Sequence, residues 1–70
     1  MEQRKPKRFI RRCVVEEITG LPTSSLYLEM SKGRFPKPVS IGDRSVAWIE
    51  DEVLAWQESR IAQRNKTEAA

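Results

Sequence analysis

Apolar residues first recur at helical spacing from Arg12 onward. Val14, Val15 and Ile18 lie three and four positions apart, which places them on one face and leaves Glu16 and Glu17 opposite. Gly20 ends this run as a left-handed cap. After Leu21 and Pro22, the hydroxyls of Thr23, Ser24 and Ser25 mark the start of a second helix. Its apolar face is Leu26 and Met30, one turn apart, with Tyr27 at the shoulder, and Gly33 stops it. Two short helices around a glycine-containing turn predict a helix-turn-helix.

The period then changes. Phe35-Pro36-Lys37-Pro38 excludes helix and favours an extended path. Val39-Ser40-Ile41 and Ser45-Val46-Ala47-Trp48-Ile49 alternate apolar and polar around the polar turn Gly42-Asp43-Arg44, which predicts a β-hairpin with Val46 and Trp48 on one side. A third helix is expected from Glu50 or Asp51. Three successive acids there suit the positive end of the helix dipole, and Val53, Leu54, Trp56 and Ile61 give it an apolar face. Upstream, Arg8-Phe9-Ile10-Arg11 is compatible with a short strand. Residues 1–7 are expected to form a disordered basic arm, residues 8–64 the folded domain, and residues 65–70 a fraying tail. The predicted fold class is a small α+β winged helix-turn-helix, the hairpin forming the wing.

Seventy residues allow one domain with a small core, too small to promise a deep cofactor pocket. The chain has no histidine and one cysteine, Cys13, so an internal disulfide, a Cys/His zinc site and a His-dependent triad are excluded. No apolar run approaches the ~20 residues of a membrane span, and the basic N-terminus lacks a signal-peptide stretch. A cytoplasmic protein is expected, without cofactor, metal, small-molecule substrate or enzymatic activity.

Charge sharpens the picture because it is segregated. The bases Arg4, Lys5, Lys7, Arg8, Arg11 and Arg12 share the N-terminal stretch with Glu2 alone, and Lys32, Arg34, Lys37 and Arg44 form a second group with Asp43. The acids gather at Glu16-Glu17 and at Glu50, Asp51, Glu52 and Glu58. This pattern matches either a polyanion touched by one face or solvated surface charge.

The run from Arg8 to Arg60 resembles the AlpA family of small prophage regulators, relatives of phage excisionases and of the DNA-binding half of MerR-type regulators. The likeness is carried by Thr19-Gly20-Leu21 and Ser24-Ser25-Leu26-Tyr27, then by Lys32-Gly33-Arg34-Phe35-Pro36-Lys37-Pro38-Val39, Gly42, Arg44, Trp48, Glu52-Val53 and Ala55-Trp56. The sequence departs from the family's pattern at Arg12 and Glu16, where apolar residues are usual. It departs again at Pro22-Thr23, where Ser followed by a base is usual, and at Leu28, where a base is common.

The resemblance implies a sequence-specific DNA-binding regulator of a prophage or mobile element, with a further role in excision. Its implied partners are double-stranded DNA, an integrase and further copies of the chain on DNA. If Leu26 and Met30 face the core, ~100° per residue turns Ser24, Leu28 and Ser31 away from it. Thr23, Ser24 and Ser25 then either cap the helix or reach DNA. Tyr27 either packs or binds phosphate, and Leu28 meets a thymine methyl. Lys32 flanks this face, Arg34 and Lys37 contact the backbone, and Arg44 with Ser45 places the wing in a neighbouring groove. Trp48 and Trp56 are expected as core anchors. A rival reading is a protein-interaction module that binds an integrase or a response regulator through Leu54 and Gln57 of the third helix.

Overall fold

The computed structural model describes residues 6–69. Residues 1–5 of the expected arm therefore lie outside the described residues. Strand β1 is Phe9–Ile10, helix α1 Arg12–Thr19, helix α2 Thr23–Ser31, strand β2 Val39–Ser40, strand β3 Val46–Ile49 and helix α3 Glu50–Ala69. The three strands form an antiparallel sheet in the order β1-β3-β2. This is the winged helix-turn-helix expected from the pattern.

The turn between α1 and α2 depends on Gly20, which adopts φ 74° and donates its N–H to the Glu16 carbonyl at 2.8 Å. Thr19 continues the closure, donating its hydroxyl to the Val15 carbonyl and accepting the Leu21 N–H. Helix α2 ends in a Schellman motif. Gly33, at φ 72°, donates to the Met30 carbonyl at 3.0 Å, and Arg34 N–H donates to the Glu29 carbonyl at 2.9 Å.

Nearly every element contributes to one core. Ile10 from β1, Val15 from α1, Leu26 and Met30 from α2, Phe35 from the connecting loop, Trp48 from β3 and Val53 from α3 are buried together. Val14, Ile18, Leu21 and Trp56 pack around them. The Phe35 and Trp56 rings meet edge to face, 5.1 Å between centroids. Trp48 donates its indole N–H to the Pro36 carbonyl at 3.1 Å, which ties the proline-rich loop to the central strand.

Strand β1 pairs Ile10 with Trp48, and β2 pairs Val39 with Ala47 and Ser40 with Val46. The wing closes where Ile41 N–H donates to the Ser45 carbonyl at 2.9 Å.

The structure adds detail to the expected packing. Val46 and Trp48 share one side of β3, yet Val46 is exposed while Ala47, between them, is fully buried. Ala47 lies in the central strand opposite Val39, whereas Val46 stands nearer the wing turn, opposite Ser40. Leu54 and Ile61, in phase with Val53 and Trp56, are exposed, because the body of the domain covers only one narrow stripe of α3. Helix α3 extends to Ala69. Residues 65–69 hold no Gly or Pro to stop it, and extending an existing helix is far easier than starting one.

Candidate nucleic-acid interface

Helix α2 lays Leu26 and Met30 into the core and turns Leu28 outward, 51% exposed, with Ser24 and Ser31 on the same open face. The Ser24 hydroxyl has no partner among the described residues. The Ser31 hydroxyl donates to the Leu28 carbonyl, which leaves its oxygen free to accept. Tyr27, 44% exposed, borders this face. It stands between two shallow concavities. One is formed with Met30, Ser31, Lys37 and Pro38, the other with Arg11, Arg12, Cys13, Arg44, Val46 and Trp48. Tyr27 therefore joins the exposed face of α2 to the wing entry on one side, and to the wing tip and the start of α1 on the other.

The cations divide sharply. Lys7 pairs with Asp51 at 3.4 Å, Arg8 with Glu50 at 3.2 Å, Arg12 with Glu16 at 3.4 Å and Arg34 with Glu29 at 2.9 Å. Arg11, Lys32, Lys37 and Arg44 hold no ion pair among the described residues. Farther along α3, the Arg60 guanidinium lies 5.8 Å from the Trp56 ring centroid, and Arg64 bonds to Asn65.

Not all expected site residues converge. Ser24, Tyr27, Leu28, Lys37 and Arg44 lie on the exposed face of α2 or around the Tyr27 concavities, and Lys32 is the exposed cap that ends α2. Thr23 does not cap α2. The cap position is Pro22, with no side-chain hydrogen bond, and the Thr23 hydroxyl donates instead to Glu16 Oε2 across the turn. Ser25 is half-buried and also makes no cap. Ser45 is half-buried and serves the wing through its backbone carbonyl.

Arg34 is directed to Glu29 by two bonds, Nε to Oε1 at 2.9 Å and Nη2 to Oε2 at 3.0 Å. This fork raises the Arg34 pKa and holds the Glu29 carboxyl below its ordinary value, chiefly through the hydrogen bonds themselves. Gln57, assigned to the rival protein-binding surface, instead donates its amide to the Ile18 carbonyl at 3.1 Å and binds α3 to the end of α1.

Sequence reasoning left out Arg11 and Arg12. Both stand in the N-terminal basic run, but only the pairing of β1 with β3 brings them beside Arg44.

With the geometry in place, residues 8–61 match the family described as "Prophage CP4-57 regulatory protein (AlpA)". The chain belongs to the AlpA family. It is also 43% identical over 60 residues to "Uncharacterized protein ORF88" of Enterobacteria phage P4, covering 86% of this chain and 68% of that protein. Two positions where this AlpA-family chain departs from the usual pattern, Glu16 and Thr23, turn out to bond to each other. A polar clasp thus crosses the helix-turn-helix here, and Arg12, a further departure, completes it from the Glu16 side.

Proposed function

We propose that this AlpA-family protein is a sequence-specific regulator that binds double-stranded DNA, with α2 in the major groove and the β2–β3 wing against the adjoining backbone. The observation that carries the reading is the placing of Lys37 and Arg44, both without acidic partners among the described residues, on either side of Tyr27, next to the exposed Ser24-Leu28-Ser31 face. A major groove ~12 Å wide admits one helix. Ser24 supplies a hydroxyl for a base edge, and Leu28 an apolar contact for a thymine methyl. Lys32, Lys37 and Arg44 supply backbone contacts that hold the register. The protein works in the cytoplasm, at the nucleoid. The excisionase resemblance extends the proposal to adjacent copies that bend DNA near an attachment site and to contact with an integrase. Smooth bending of a site costs about 1–6 kcal/mol, which neighbouring bound copies help to offset.

The test is fluorescence anisotropy with promoter-derived and random duplexes across a salt series. Three engaged cations predict a log K against log[salt] slope of about −2.7. A promoter duplex preferred by at least about a thousandfold supports sequence-specific binding. Ser24→Ala is expected to change the preferred sequence and leave that slope intact. Weak, equal binding to both duplexes together with tight capture of an integrase overturns the reading in favour of a protein-interaction module.

A further inference from the structure

We propose that the concavity between the start of α1 and the wing is a binding site for one backbone phosphodiester of the duplex, held chiefly by Arg11 and Arg44. This rests on the DNA-binding reading, which already gives Arg44 a backbone contact, and adds Arg11 as a second guanidinium on the same phosphate.

Arg11, Arg12, Cys13, Tyr27, Arg44, Val46 and Trp48 line this hollow of about 350 Å3, and among the described residues no carboxylate lines it. A water's share of liquid volume is about 30 Å3, so a phosphate group and its hydration fit. Antiparallel pairing of Ile10 with Trp48 carries Arg11 along β3 toward the wing, where it meets Arg44. Glu16 draws on the Arg12 charge at 3.4 Å, whereas Arg11 and Arg44 have no counter-ion among the described residues.

Guanidinium groups gathered in one hollow repel each other, and the repulsion is relieved when an anion enters. The planar fork of arginine matches phosphate oxygens in pairs. The Tyr27 hydroxyl adds a neutral donor at the boundary with the α2 face.

The chain carries its own reporter. Cys13, its one cysteine, is exposed in the wall of this hollow. Iodoacetate and iodoacetamide give adducts of almost equal size that differ by one negative charge. The carboxymethyl adduct is expected to weaken duplex binding at low salt at least tenfold more than the carbamidomethyl adduct. Saturating duplex is expected to slow alkylation of Cys13 at least tenfold.

Arg11 is a fourth engaged cation, which steepens the expected salt slope to about −3.6, and Arg11→Gln is expected to return it to about −2.7. Neutral methylphosphonates placed singly along the duplex are expected to weaken binding of the unaltered chain at each contacted phosphate, and at one of these positions the loss is expected to be smaller in Arg11→Gln while the others keep theirs. If the unaltered chain binds duplex while both adducts bind equally and Arg11→Gln keeps the full slope, the phosphate site is overturned and the DNA-binding reading stands. If the unaltered chain binds no duplex, the DNA-binding reading fails and takes the site with it.

Discussion

The surface around the start of α3 and the surface around Tyr27 are both rich in cations, yet they use them differently. At the first, Lys7 and Arg8 meet Asp51 and Glu50, and these contacts help hold the N-terminal strand to α3. At the second, Arg11, Lys37 and Arg44 meet no acid among the described residues. By sequence these residues are alike, since Lys7, Arg8 and Arg11 stand within five positions of one another. Exposed ion pairs contribute only ~0–1 kcal/mol each, so pairing matters less for stability than for which cations stay available to a polyanion. The comparison teaches that a count of bases does not separate paired cations from unpaired ones, and on the proposed reading it is the unpaired ones that mark the DNA footprint.

The largest expected effect removes the frame that keeps the two surfaces apart. Trp48 is 1% exposed, lines the wall beside Arg44, and holds the Pro36 carbonyl next to Lys37. Trp48→Ala is expected to cost about 3–5 kcal/mol, as much as the core of a domain this small supplies, so the chain unfolds. Trp48→Phe is the sharper variant. It keeps most of the buried area and leaves the Pro36 carbonyl unmatched, for a loss of about 1–3 kcal/mol in urea unfolding. Unchanged stability in Trp48→Phe would mean that this bond does not hold the loop.

Next in size is a direct contrast of the two surfaces. Arg44→Ala is expected to weaken binding to every duplex and to lower the salt slope by about 1. Lys7→Ala, which removes a cation already paired with Asp51, is expected to leave both unchanged. Equal losses in the two variants would erase the distinction between paired and unpaired cations.

A smaller effect separates frame from reader within α2. Thr23→Val deletes the hydroxyl that Glu16 accepts and is expected to cost about 1 kcal/mol of stability. The preferred DNA sequence is expected to stay the same, because the Thr23 hydroxyl turns toward α1. Selection from a randomised duplex pool checks this. A changed preference would return Thr23 to the reading face.

These contrasts also mark what the sequence makes legible. Gly20 and Gly33 announce the ends of α1 and α2, because a positive φ is a local demand that glycine meets. Leu26 and Met30 give the inward face of α2, and so give Leu28 as outward. The alternation through Val46 and Trp48 gives the wing strand. The wing, the turn and the family all follow from such short-range patterns.

What escapes them depends on distance in space. Arg11 reaches Arg44 only because β1 lies against β3. Arg34 reads as a free base until the Schellman turn folds it back onto Glu29. Thr23 has the chemistry of a cap, but Pro22 takes the cap position. Periodicity cannot show that Leu54 and Ile61 lie outside the covered stripe, since it gives a direction without the extent of the neighbouring surface. Ala47 is hidden from pattern reading because its burial comes from being central in a sheet whose order no local signal sets.

The smallest expected effect tests the paired side of the comparison by pH. Arg34 holds the Glu29 carboxyl below its ordinary 4.5, first through their hydrogen bonds. The folded chain therefore binds fewer protons at this group than the unfolded chain does near that pH. The contribution is fully present above the unfolded value and fades as pH falls through 4.5 toward the lower folded value. Thermal melts of the unaltered chain and Glu29→Gln are expected to differ slightly at pH 7 and to converge as pH falls below the lowered folded value. The gap is small because both side chains face water. Glu29→Gln also frees a cation without adding one. Arg34 lines neither Tyr27 hollow and shares its own concavity with Glu52 and Trp56 of α3 as well as with Lys37, so the freed charge is expected to leave the duplex salt slope unchanged. A steeper slope would show that Arg34 stands within reach of the phosphate backbone, and that Glu29 normally withholds it.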